Sequence, residues 1–124
     1  MITAVCANPC LDKTITVNDL RVGQLNRVVD TRLDASGKGL NVAIVLKRLG
    51  VPSLCVGFNY TENGHLLTNR LDADEVPYEF IYAPGEIRTN IKVIDISNGE
   101  MTELNENGTL TNEENKQALL ELVK

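Results

Sequence analysis

The chain has a single histidine and only three cysteines, Cys6, Cys10 and Cys55, none of them in a CxxC pair. Without clustered His and Cys ligands a zinc site is not expected, and the odd count suits three reduced, mostly buried thiols in a cytoplasmic protein. Tryptophan is absent, and aromatic residues make up 4% of the 124 positions. Basic residues are also in deficit: 12 Lys and Arg against 17 Asp and Glu give a formal charge of −5. Such a surface lacks the cationic clusters that nucleic-acid backbones and anionic membranes require, so neither is an expected partner. Net charge says nothing about one cleft, and a local basic pocket for a small phosphorylated ligand stays open. The amino terminus, Met1-Ile2-Thr3-Ala4-Val5-Cys6-Ala7-Asn8-Pro9, lacks the basic segment and long apolar run of a signal peptide or membrane span.

Two nucleotide signatures are missing as well. A Walker A loop needs glycine five positions before its Gly-Lys and a hydroxyl after it; here position 32 is Arg32 and Lys38 is followed by Gly39. No G-x-G-x-x-G dinucleotide pattern occurs either.

What is present is an α/β pattern of about one domain's length. Residues 2–7 read as a short buried strand ending at Asn8-Pro9. Thr14–Val17 is β-branched, and Leu25–Leu33 alternates polar and apolar residues like a strand with one exposed face. Asn41–Leu49 has helical spacing through Val42, Val45, Leu46 and Leu49, and Gly50 and Pro52 stop it. Ser53–Gly57 is the next core strand, and Glu62–Asp72 a second helix. Tyr78–Tyr82 and Thr89–Ile96 are strand-like, Asn98-Gly99 is a hairpin turn into Met101–Asn105, and a last helix starts around Thr111 to Glu114. With three convincing core strands and none after that helix, the expectation is the front part of a larger α/β enzyme.

The run Asp34-Ala35-Ser36-Gly37-Lys38-Gly39-Leu40-Asn41 places two glycines, a lysine and an amide at a helix mouth. Backbone N–H groups and the helix dipole favour an anion there, against the plainer reading of a turn with Asn41 as a cap. Asp12, just past the first strand, is placed to grip sugar hydroxyls or to hydrogen-bond its own turn. Arg88, Asn90 and Lys92 share one strand face, where Arg88 either clamps a phosphate or pairs with Glu79, Asp95 or Glu103. Arg27 lies on another polar strand face. His65 has no acid–base partner, Cys10 has no histidine to activate it, and Glu103 and Glu106 read as residues that solvate an exposed edge.

These segments together resemble the ribokinase-like (PfkB) family of carbohydrate kinases, in its phosphosugar branch. The pattern is nearest the 1-phosphofructokinases, with tagatose-6-phosphate kinases next. The resemblance is carried by Asn8-Pro9-Cys10-Leu11-Asp12-Lys13-Thr14, Asn26-Arg27-Val28, Gly37-Lys38-Gly39-Leu40-Asn41-Val42, Arg88-Thr89-Asn90-Ile91-Lys92 and Thr102-Glu103-Leu104-Asn105-Glu106. It implies the N-terminal portion of a Rossmann-like sandwich with a small β-sheet lid. Residues 1–12, 34–77 and 106–124 would belong to the main domain, and 13–33 and 78–105 to the lid.

It further implies that Asp12 contacts sugar hydroxyls and that Gly37, Gly39 and Asn41 line the sugar site with Lys38 adding charge. Arg27 and Arg88 would approach the phosphate. The parent reaction would be ATP + fructose 1-phosphate → ADP + fructose 1,6-bisphosphate with Mg2+. The catalytic aspartate and nucleotide-binding segments of that family lie in a downstream Gly-x-Gly-Asp region absent here. The 124 residues alone are therefore expected to be inactive, and either to bind sugar phosphate or to serve as an association module. A homodimer through the lid or an exposed sheet edge is expected. Two positions depart from the family pattern: Ser36 stands where a glycine is usual, and Asn59–Gly64 replaces a glycine-rich loop.

Overall fold

The computed structural model describes residues 1–108 and 112–124, and ten elements follow in order. They are β1 (Ile2–Cys6), β2 (Cys10–Val17), β3 (Val28–Ser36), α1 (Lys38–Arg48), β4 (Ser53–Tyr60), α2 (His65–Ala73), β5 (Tyr78–Ala83), β6 (Arg88–Asp95), β7 (Glu100–Asn105) and α3 (Glu113–Val123). Their strands form two sheets: a parallel one in the order β1-β4-β5 and a four-stranded one in the order β3-β2-β6-β7.

The parallel sheet is layered between helices. Cys55 of β4 packs with Leu40, Ala43 and Ile44 of α1 and Leu67 and Leu71 of α2, while Val56 and Phe58 pack with Leu119 of α3. Alternate side chains of one strand thus enter opposite cores, which is why β4 reads as a nearly continuous buried run. Leu40, Leu67 and Leu71 have no exposed surface, and each such burial stabilises by roughly 1.5–3 kcal/mol. Among the described residues no helix is long and apolar enough to cross a membrane.

The four-stranded sheet has only edges of this core beneath it. β2 pairs antiparallel with β3 and parallel with β6, and β6 pairs antiparallel with β7 through the Asn98-Gly99 turn. Gly99 has φ of 75°, the left-handed value that such a turn assigns to glycine. At the far end, the Asp95 carboxylate accepts hydrogen bonds from Asp19 N and Leu20 N at 2.9 Å and from Ser97 N and Oγ at 3.0 and 2.7 Å. Those bonds hold the Asp95 carboxyl at about 2, with the Ser97 hydroxyl the largest cause.

The structure moves several expected boundaries. Residues 78–105 do not form one unit with the second sheet: β5 pairs parallel with β4, Cys55 opposite Tyr78 and Tyr60 opposite Ala83. The cause is the β4–α2–β5 crossover, which returns the chain alongside β4, with Val76 and Ala83 buried in the main core. The second sheet also reaches further than residues 13–33, from Cys10 in β2 to Ser36 in β3. α1 begins at Lys38 and α2 at His65, where the expectations were Asn41 and Glu62. α3 is capped by Asn112, whose side chain accepts from Asn115 N at 2.8 Å; Thr111 lies outside the described residues.

Candidate functional site

A cleft of about 550 Å³ opens where the root of the four-stranded sheet meets the start of α1. Sheet register explains its lining. Cys10 is opposite both Ser36 and Arg88; Asp12 is opposite Asn90, which is opposite Asn105; Lys92 is opposite Glu103. Paired residues share a face, so one polar face turns a row of carboxylates, amides and cations toward the cleft. The residues between them, Ile15, Leu33, Ile91, Val93 and Leu104, share the opposite face.

Asp12, Gly37, Lys38, Asn41 and Arg88 all line this cleft, as the sequence leads one to expect. α1 starts on Gly37 with no side-chain cap and no acidic residue in its first turn. A lysine at that end opposes the helix dipole, and both features suit an anion drawn to the free N–H groups. Gly37 has φ of 150° and ψ of 148°, and a Cβ there would stand 2.8 Å from Cys6 Sγ. Asn41 Nδ2 donates to Ser36 Oγ at 3.3 Å, giving the serine a role that glycine could not fill.

Arg88 is held loosely. Nη1 donates to Asn90 Oδ1 and to Glu106 O at 3.4 Å, and Nη2 donates to Asn8 O at 3.5 Å. Nε is buried and has no hydrogen-bond partner among the described residues. The long bonds of the two outer nitrogens are ones that an anion could replace. Glu79, Asp95 and Glu103 do not pair with Arg88 in this arrangement.

Burial raises the Cys6 and Cys10 thiols, with the Asp12 charge adding to the rise at Cys10, and burial pushes Cys55 up to about 12. Cys10 Sγ donates to Asp12 Oδ1 at 3.7 Å.

Two expected site residues sit elsewhere. Gly39 does not line the cleft: it faces the β1 backbone, and a Cβ would meet Val5 O and stand 2.7 Å from Cys6 N. Its place in the motif is explained by the close approach of α1 to β1. Arg27 lies with Asn18, Asp19, Arg21, Leu25, Asn26 and Val29 around a separate hollow in the β2–β3 loop. That loop is at the end of the sheet away from the cleft, because the hairpin carries its tip outward.

The sequence reading missed Asn105 and Asn8, which line the cleft; of the two carboxylates read as solvating an exposed edge, Glu103 lies on the edge strand β7 and also lines the cleft, and Glu106 Oε1 accepts from Thr89 N at 2.6 Å. The Asn98-Gly99 turn carried the signal for Glu103 and Asn105, since it sets Lys92 against Glu103 and Asn90 against Asn105. His65 is exposed and absent from the cleft.

Residues 7–124 match the family described as pfkB family carbohydrate kinase. A 1-phosphofructokinase of Borreliella burgdorferi is 36% identical over 107 residues, covering 86% of this chain and 34% of that protein. One from Rhodobacter capsulatus is 35% identical over 104 residues, covering 84% of this chain and 33% of that protein. A Staphylococcus aureus structure, provisionally designated a phosphofructokinase, superimposes with a TM-score of 0.89 at 33% identity, over 99% of this chain and 39% of that one. The chain thus spans about a third of the length of the curated relatives it matches. With a ribokinase-like fold and a family match across almost its whole length, it belongs to the pfkB family of carbohydrate kinases.

Proposed function

We propose that these 124 residues form the acceptor-binding part of an ATP-dependent phosphosugar kinase. The parent reaction is ATP + D-fructose 1-phosphate → ADP + D-fructose 1,6-bisphosphate. The observation that carries this reading is the convergence of Arg88, Lys38 and the uncapped start of α1 on one cleft with Asp12, Asn41 and Asn90. The cations and N–H groups suit a phosphate already on the sugar, and the carboxylate and amides suit its hydroxyls. Two curated relatives carry the name 1-phosphofructokinase, which supports the choice of sugar.

ATP and Mg2+ belong to the whole kinase in this reading. Among the described residues no three His, Cys, Asp or Glu side chains converge as metal ligands. The chemistry of this part is confined to binding and orienting the acceptor; phosphoryl transfer also needs a base or orienting group and charge stabilisation from residues outside this chain. Three free, buried cysteines accord with a reducing, cytoplasmic setting.

A homodimer is part of the proposal. Leu33 and Leu104, 49% and 59% exposed, lie with Ile15, Ile91 and Val93 on the face of the four-stranded sheet opposite the cleft, which also carries Lys13 between Leu33 and Ile91. A second copy of that face would cover it.

The test is turnover by the full-length encoded protein with ATP and fructose 1-phosphate, fructose 6-phosphate, tagatose 6-phosphate or fructose. Fructose 1-phosphate is expected to be preferred, and the 124 residues alone to produce no ADP. Equal use of unphosphorylated fructose would overturn the phosphate clamp, and preference for tagatose 6-phosphate would reassign the sugar.

A further inference from the structure

Glu106 makes three separate contacts with the strand that carries the clamp. Its carboxylate accepts from Thr89 N at 2.6 Å, its own N–H donates to Thr89 O at 3.3 Å, and its carbonyl accepts from Arg88 Nη1 at 3.4 Å. The β6–β7 ladder ends one residue earlier, at Asn90 opposite Asn105. Beyond that point the Glu106 side chain takes over the pairing of Thr89 that a further strand residue would supply. Gly108, two residues on, presses against the Arg88 stem: a Cβ there would stand 3.2 Å from Arg88 Cδ. The segment from Glu106 to Gly108 is thus folded around Arg88, and the Glu106–Thr89 bond is its tether.

We propose that Glu106 is a positioning residue for Arg88, fixing the backbone of β6 beside it so that the arginine meets the sugar phosphate in the cleft. This rests on the reading of Arg88 as the phosphate clamp. A carboxylate beside a proposed phosphate site is otherwise unfavourable by charge. Glu106 does not line the cleft, and the bond to a backbone N–H gives its carboxylate a local reason to be there. The short charge-assisted bond fixes Thr89, while the long ones leave the arginine free to exchange its carbonyl partners for an anion.

The experiment is steady-state kinetics of the full-length encoded protein and its Glu106→Ala, Glu106→Gln, Arg88→Ala and Arg88→Ala/Glu106→Ala variants, with fructose 1-phosphate and ATP. Glu106→Ala is expected to raise KM for the sugar phosphate about tenfold, with kcat and the KM for ATP within about twofold. Glu106→Gln keeps an acceptor for Thr89 N and is expected to recover most of the loss. In the Arg88→Ala background Glu106→Ala should cost nothing further, because it acts through the arginine. An unchanged KM in Glu106→Ala, or additive losses in the double variant, would overturn the positioning role while leaving the clamp intact. An Arg88→Ala enzyme with wild-type KM would instead remove the clamp itself, and the proposal with it.

Discussion

β4 and β2 are both eight-residue central strands, yet they are buried differently. β4 is buried at seven of its eight positions because helices cover both of its faces. β2 is buried only at Cys10, Leu11 and Val17, because among the described residues helix packing reaches its sheet only at the root, where Leu11 and Ala35 join the core with Leu67 and Leu71 of α2. The parallel sheet commits its side chains to packing, and the four-stranded sheet leaves one polar face to a cleft and one mostly apolar face, with Lys13 in it, to an expected partner. The cleft lies where the two meet, lined by Asp12, Arg88 and Asn90 from the four-stranded sheet and by Lys38 and Asn41 from α1.

Substitutions in the covered sheet's core should break that comparison most severely. Leu67→Ala, at a position with no exposed surface, is expected to cost about 2–5 kcal/mol. Chemical denaturation followed by circular dichroism measures it, and a cost below about 2 kcal/mol, the floor for such deletions, would contradict the layered core. Gly39→Ala belongs with it: because the added methyl meets the β1 backbone, it should lower stability rather than alter ligand affinity alone.

The binding sheet should behave in the opposite way. Arg88→Lys keeps the charge but loses the planar fork, and is expected to weaken sugar-phosphate binding by about ten- to a hundredfold with a melting temperature close to wild type. Titration calorimetry and thermal melting of the same samples test both halves. A large fall in melting temperature would show that Arg88 serves packing instead.

The contrast also explains what could be read from the sequence. α1, the Asn98-Gly99 hairpin and the cleft residues Asp12, Lys38, Asn41 and Arg88 were legible because helical spacing, turn chemistry and strand parity are local properties. The sheet to which β5 belongs was not, because alternation in Tyr78–Ala83 reports a strand and not its neighbour. Gly39 was assigned to the site because a glycine next to a binding turn looks the same whether a ligand or another backbone approaches it. Arg27 and Glu106 depended on where a loop tip and a strand end come to rest, which no local pattern records.

A smaller effect is expected on the outer face. Leu104 is 59% exposed on β7, so Leu104→Lys should cost the monomer little, within about 0.5 kcal/mol. It should nonetheless shift sedimentation of the full-length protein toward the monomer, because a second sheet face would have to bury the ammonium. Unchanged association would place the contact elsewhere, with the unpaired edges of β1 and β5 next to be tested.

The finest distinction concerns the loops that Asp95 ties together. Its carboxyl is held at about 2 against an ordinary 3.8, by the Ser97 hydroxyl first and by backbone N–H groups of Leu20, Ser97 and Asp19. A carboxyl lowered in the folded state binds its proton more readily when unfolded, so its contribution is present above pH 3.8 and is lost as pH falls through about 2. Asp95→Asn keeps one acceptor oxygen and replaces the other with a donor, which leaves either Asp19 N or Leu20 N without its partner. The stability difference between wild type and variant should therefore be widest above pH 3.8 and close as pH approaches 2. Both proteins share every other carboxyl, so general acid unfolding cancels in the difference, measured by urea titration at each pH. A gap that stays constant across that range would mean that Asp95 holds these loops by shape and not by charge.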